Sequence, residues 1–199
     1  MEIGVVVLAA GEGRRLGLGP KAHVLLGGET FLSRVVRTSR SAGLGSIWTV
    51  GNPTDAKLSG ACESLSVHRV VNPEPELGMS SSVHAGLRAA QPTCPGGVLV
   101  FPVDLPLVQP TTLTSLVSAM QDDTCVRPLV GQRHGHPIAL GAALVSKLLA
   151  LDPSTPLRAG LEAIGARMID VRCADAATLD NVNTQADLAR LQQALDGPR

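Results

Sequence analysis

Residues 3–8, Ile-Gly-Val-Val-Val-Leu, are an unbroken apolar run rich in valine. So short a run without alternation reads as a strand buried on both faces, the habit of parallel sheets. Parallel strands need long crossovers, and the chain supplies them. Strand-length apolar runs recur at 47–50, 67–71, 97–101 and 168–171, with helically patterned segments between most of them. Residues 124–130 read as a strand interrupted by Pro128, and after a turn at 131–135 residues 136–140 pair back onto it. This order predicts one α/β domain over residues 1–199, with a mostly parallel, mixed sheet.

The helices are marked by caps and stripes. Thr30 caps a helix carrying Phe31, Leu32, Val35 and Val36, with Gly43 as its stop. A short, poorly patterned helix covers 54–65. One serine of 80–82 caps the next helix, whose stripe is Val83, Leu87 and Ala90. Pro110 opens another, and further helices are expected at 142–151 and 157–164. Thr184 and Asp187 have capping-box spacing ahead of Leu188, Leu191 and Leu195.

The first strand runs straight into Ala9-Ala10-Gly11-Glu12-Gly13-Arg14-Arg15-Leu16-Gly17-Leu18-Gly19-Pro20-Lys21. Glycines let backbone approach a ligand, and successive free N–H groups make an anion-binding concavity. Arg15 and Lys21 add full positive charge. The loop reads as a polyphosphate cradle. A P-loop would need Ser or Thr after the lysine, where Ala22 stands, and a dinucleotide turn would need glycine at Leu16.

Charge and composition narrow the partners. Seventeen basic residues balance seventeen acidic ones, so no broad attraction to nucleic acid or lipid is implied. With no tyrosine, one tryptophan and two phenylalanines, base-stacking platforms are not expected. Cys62, Cys94, Cys125 and Cys173 form no C-x-x-C pair, which argues against zinc and for reduced thiols in a cytoplasmic protein. The N-terminal apolar run has no basic region before it, and no stretch is long enough to span a membrane.

Leu-Ala-Ala-Gly-x-Gly-x-Arg-Leu-Gly at 8–17, followed by Lys21, resembles the opening motif of nucleotidyltransferases that activate phosphates and sugar phosphates. Val103-Asp104-Leu105-Pro106 sits where the 97–101 strand ends. A carboxylate there faces the ligand crevice and suits Mg²⁺ arriving with a polyphosphate; a turn aspartate is the plain structural alternative. The Asp-x-Pro spelling matches the family and favours the metal. The family has Asp-x-Asp-Thr-Pro or Asn-x-Asn-Thr-Pro near the C-terminus. Here Asn181 and Asn183 fill those places and Gln185 replaces proline, so Asn183 is the expected second ligand, with Asp180 as competitor.

The later motifs point to one branch. Gly-Met-x-x-Ser-Val-x-x-Gly at 78–86 resembles the family's nucleoside-receiving stretch, which adds Asn72, Gly78 and Ser82 to Leu8, Ala9, Ala10, Gly11, Gly13, Arg15 and Lys21 as nucleotide contacts. Gly131 to Gly141 contains Arg133, His134, Gly135 and His136, and Leu157-Arg158-Ala159 follows. Both resemble the molybdopterin branch, which makes Arg133, His134, Gly135, His136 and Arg158 the acceptor contacts. His23, His68 and His84 read as surface or packing residues.

The chain is thus similar to the MobA/MocA-like molybdenum cofactor nucleotidyltransferases. That resemblance implies a three-layer Rossmann-like fold of the nucleotide-diphospho-sugar transferase type. It implies Mg²⁺-dependent transfer of CMP or GMP from CTP or GTP to molybdopterin, with Lys21, Arg15 and Asp104 catalytic, and a molybdoenzyme or maturation chaperone as possible protein partner. Gly-Met-x-x-Ser and Gly-His-Pro match the cytidylyl side, Asn-Val-Asn-Thr the guanylyl side. A sugar or polyol phosphate acceptor, or a non-catalytic nucleotide-binding role, are the alternatives.

Overall fold

The opening apolar run becomes β1 (Gly4–Leu8) at the middle of the sheet in a computed structural model that describes residues 2–196. Val5, Val6 and Val7 are all fully buried, so both faces of β1 are covered. Burying each such side chain is worth about 1.5–3 kcal/mol, which is why this run takes the central place.

After the glycine loop comes a small hairpin of β2 (Leu25–Leu26) and β3 (Glu29–Thr30), which was not foreseen. Helix α1 (Phe31–Ser41) follows, with the Thr30 hydroxyl accepting from Ser33 N at 3.1 Å as its cap. Next are β4 (Ile47–Gly51), α2 (Lys57–Ser64), β5 (His68–Val71), α3 (Met79–Ala90), β6 (Val98–Pro102) and α4 (Pro110–Ala119). The chain continues through β7 (Thr124–Val130), β8 (Arg133–His134), β9 (Ile138–Leu140), α5 (Ala142–Leu149), α6 (Leu157–Ala163), β10 (Arg167–Arg172) and α7 (Gln185–Asp196).

The main sheet runs β10-β7-β9-β6-β1-β4-β5, with β8 paired to β7. Only β9 runs against its neighbours along that path. Odd and even strand positions feed two cores. Val5, Val7, Leu99, Phe101 and Val126 pack under α1, α2, α4 and α7. Val6, Val50, Val100, Cys125 and Ile138 pack under α3, α5 and α6. The result is the expected three-layer α/β fold with a mostly parallel, mixed sheet.

Three local expectations need correction. Pro128 does not interrupt β7; its carbonyl accepts from Gly135 N at 3.0 Å, and pairing continues through Leu129 and Val130. The segment pairing back is split: β8 binds β7, while β9 wedges between β7 and β6. No serine caps α3. Gly78, at φ 82°, turns the chain into the helix first, a conformation that suits glycine. Among the described residues no helix is long and apolar enough to cross a membrane.

Candidate active site

β1 has β4 on one side and β6 on the other, so the strand order reverses at its carboxyl end and a crevice opens there. Ala9 N still donates to Val50 O at 2.8 Å. Beyond it, the amides of Gly11, Glu12, Gly13, Arg14 and Arg15 have no acceptor among the described residues. Two anchors fix this row. Gly13 has φ 63°, and a Cβ there would strike the Gly19 carbonyl oxygen, so only glycine lets the loop double back. Leu16 is fully buried, and its carbonyl accepts from Gln185 Nε2 at 3.3 Å.

Asp104 reaches the same place from β6. Val103 N donates to Leu8 O at 3.1 Å, setting the Asp104 turn beside the root of the glycine loop. The segment before α7 is tied on by Val182, whose N–H donates to Asp104 O at 2.9 Å and whose side chain is fully buried. Asn181 and Asn183 then flank the carboxylate. Asn181 Nδ2 donates to Asp104 Oδ1 at 3.0 Å. Lys21 Nζ donates to Asp104 Oδ2 and to Asn183 Oδ1, both at 2.8 Å, and Arg15 Nη2 donates to Asn183 Oδ1 at 3.2 Å. Four residues separated by up to 168 positions thus meet at one point.

Two oxygens, Asp104 Oδ2 and Asn183 Oδ1, converge on the Lys21 ammonium. One carboxylate and one amide oxygen are hard donors of the kind Mg²⁺ accepts alongside phosphate oxygens, so the donor set fits that ion. Among the described residues there is no cluster of three or more His, Cys, Asp or Glu able to hold a metal unaided. Asp180 is paired elsewhere: its two oxygens are held by Arg190 Nη1 and Nη2 on α7, at 2.7 and 2.5 Å. Asp187 fixes Asn183 instead, accepting from the Asn183 and Thr184 amides at 3.0 and 2.8 Å while Thr184 Oγ1 accepts from Asp187 N. The Asn183 amide, then the Thr184 hydroxyl and amide, hold the Asp187 carboxyl below its usual range.

The crevice divides into two pockets. A polar one of about 610 Å³ is lined by Ala10 through Arg15, Lys21 and Asn183, with Asn52, Pro75 and Glu76 opposite. A larger one, about 850 Å³, lies over the α3–α6 face of the sheet and holds Leu8, His134, Gly135, His136 and Arg158 on its walls. His136 lines this pocket with an exposed ring. Desolvation lowers its pKa, against the opposing charge of Asp104.

Leu8, expected at the nucleotide, lies in the larger pocket, and five expected contacts line neither pocket, Gly78 among them because it only turns the chain into α3. Asn72 and Ser82 are buried: Asn72 Nδ2 donates to the Ser81 and Ser82 hydroxyls, both at 2.9 Å, and its Oδ1 accepts from Glu74 N. They lock β5 to the start of α3 rather than face the crevice. The Ala9 side chain is in the core, leaving only its backbone near the site. Arg133 is exposed and off the pocket wall, because neighbours on a strand point to opposite faces and His134 takes the inward one.

Asn181, already spelled in the C-terminal motif, orients Asp104. Sequence reasoning missed other contributors. His23, two residues after Lys21, sets its Nε2 2.9 Å from both oxygens of the buried Asp55, joining the Lys21 turn to the turn that carries Asn52. Arg127 on β7 lines the larger pocket. Only the last carried a signal, a charge on a strand face that is otherwise apolar.

The sequence model of the MobA-like NTP transferase domain matches residues 5–171. The bifunctional protein GlmU of Azorhizobium caulinodans is 33% identical over 149 residues, which is 71% of this chain and 33% of GlmU. The chain therefore spans about a third of the length of that relative. The nicotine blue oxidoreductase of Paenarthrobacter nicotinovorans is 31% identical over 198 residues, covering 94% of both chains. Among solved structures, a nucleotidyl transferase from Methanothermobacter superposes with a TM-score of 0.80 at 26% identity, over 97% of each chain.

Proposed function

The chain belongs to the MobA-like NTP transferase family, and from that premise we propose that it transfers CMP or GMP from CTP or GTP to a phosphate monoester, with molybdopterin as the acceptor. A phosphate oxygen of the acceptor bonds to the α-phosphorus, the bond from that phosphorus to the β-bridging oxygen breaks, and pyrophosphate leaves. The observation that carries this reading is the meeting of Lys21, Asp104, Asn183 and Arg15 beside five unclaimed amides.

In this reading the Gly11–Arg15 amides and the Arg15 guanidinium hold the β- and γ-phosphates. Lys21 turns from Asp104 to the α-phosphate and neutralises charge as it builds. Asp104 and Asn183 would hold Mg²⁺, which when bound supplies charge neutralisation at the α-phosphate. Asn181 holds Asp104 Oδ1, which leaves Oδ2 to the metal once Lys21 has turned. A phosphate monoester is already anionic, so no side chain need remove a proton, and catalysis is positioning and charge compensation. The dinucleotide formed would pass to a molybdoenzyme or its maturation chaperone.

Pyrophosphate release tests this directly, with CTP, GTP, ATP and UTP in Mg²⁺ and molybdopterin, glucosamine 1-phosphate or no acceptor. Release that needs CTP or GTP together with molybdopterin is expected. Release that needs the sugar phosphate instead would move the acceptor to the GlmU type, and no release with any pair would overturn transfer.

A second reading has its own observation, the end-to-end likeness to a protein named an oxidoreductase. There the two pockets would seat a hydride donor and the compound that accepts the hydride. Oxidation of NADPH or NADH by nicotine blue, with no pyrophosphate release, would favour it.

A further inference from the structure

The larger pocket has a floor made from one face of the sheet. Leu8 on β1, Val100 and Pro102 on β6, Ile138 on β9 and Cys125 on β7 all point into it. Burial pushes the Cys125 thiol up to about 12, so it adds no charge. Two residues farther along β7 the same face presents Arg127, a guanidinium where the alternation has placed apolar groups. Arg127 Nε donates to Asp170 Oδ1 at 2.7 Å, across on β10, and Asp170 Oδ2 lies 3.1 Å from His134 Nε2. Arg127 is thereby aimed, while neither of its terminal nitrogens donates to a described residue. Arg158 on α6 faces the same space, tied only by an exposed bond to Glu162 at 3.0 Å.

β7 lies three strands from β1, which at sheet spacing puts Arg127 roughly 14 Å across the sheet from Leu8. We propose that the acceptor is an elongated phosphate monoester that lays the flat face of a ring on this floor and turns an anionic or oxygen-bearing edge at its far end to Arg127, with Arg158 on the wall of the same pocket. This rests on the reading of the larger pocket as the acceptor site. A sugar or polyol phosphate matches it poorly, because its hydroxyls would lie on Val100, Ile138 and Cys125 and lose water without gaining partners. A ring face buries well there while its polar edge stays free to pair, and a planar guanidinium fork suits a carboxylate, sulfonate or phosphate.

Two fluorescent probes of one ring system test the pocket in the full chain: 8-anilinonaphthalene-1-sulfonate, and N-phenyl-1-naphthylamine, which lacks the sulfonate. Wild type should bind the sulfonate at least about tenfold more tightly, the scale of a hydrogen bond to a charged group. Arg127→Met should abolish that preference and leave the neutral probe unchanged. Since this change also frees Asp170, Arg127→Lys and Arg158→Met serve as gentler variants, each expected to reduce the preference several-fold. Equal binding of both probes by wild type, or a preference that survives in these variants, would overturn the proposal. Lys21→Ala separates the two claims: it should weaken CTP and GTP binding yet keep the probe preference. Unchanged nucleotide binding in that variant would sink the transfer reading, while the probes still decide the anion site.

Discussion

Lys21→Ala should do two opposite things to the site. Lys21 Nζ lies 2.8 Å from Asp104 Oδ2, and the two side chains are only 14% and 18% exposed. At an effective dielectric near 20, unit charges that close attract by roughly 6 kcal/mol. Lost hydration offsets most of that, and hydrogen bonds to charged groups net about 1.5–3 kcal/mol. Removing the ammonium should therefore destabilise the metal-free chain by about 1.5–3 kcal/mol. The vacated space faces Asp104 Oδ2, which then lacks a cation, and Asn183 Oδ1, which keeps only Arg15. Mg²⁺ should restore stability in the variant more than it raises wild type, where Lys21 already fills the place. Urea unfolding in EDTA and in MgCl₂ measures both effects, and turnover should fall at least ~10²-fold. A variant as stable as wild type in EDTA, or one less responsive to Mg²⁺ than wild type, would refute the reasoning.

Further outcomes follow from single contacts. Gly13→Ala forces a methyl against the Gly19 carbonyl at φ 63°, so the loop opens and nucleotide affinity falls at least about tenfold; calorimetry with CTP or GTP would show the opposite if the loop tolerates it. Asp187 is held below its usual pKa, chiefly by the Asn183 amide. Its contribution to stability is full above the unfolded value of about 3.9 and is lost as pH falls through the lower folded value. Asp187→Asn should thus flatten the acid side of a stability profile followed by circular dichroism, and an unchanged acid slope would contradict the assignment. His23→Leu leaves the buried Asp55 carboxylate unpaired and should cost about 1–3 kcal/mol, with Asp55→Leu in the same chain recovering part of it in urea unfolding.

The parts of this fold that could be read from sequence are those fixed by local pattern. β1 is legible because three consecutive buried valines leave no other reading, and α1 because Thr30 both precedes and caps its stripe. β9 was visible as an apolar run, but its place between β7 and β6 depends on partners distant in the chain. The cap of α3 was misread because glycine at positive φ can start a helix where three serines invite a side-chain cap. The site divides the same way. Gly11, Arg15, Lys21 and Asp104 sit in spelled motifs. Asn181 and Asp187 are spelled too, in the Asn-x-Asn-Thr motif and its capping box, though the Asp104 partner of Asn181 comes only with folding; Asp55 meets His23 only in the fold, and Asn72, polar and next to a loop, turned inward to satisfy two serine hydroxyls.

The central claim is that the first loop of the chain holds a triphosphate at the Lys21–Asp104–Asn183 meeting point. A crystal structure of the chain with Mg²⁺ and a non-hydrolysable CTP or GTP analogue tests it most directly. Phosphate density against the amides of Gly11 to Arg15, a metal on Asp104 and Asn183, and Lys21 swung onto the α-phosphate is the predicted result. A nucleotide bound elsewhere, with Lys21 still locked to Asp104, would contradict it.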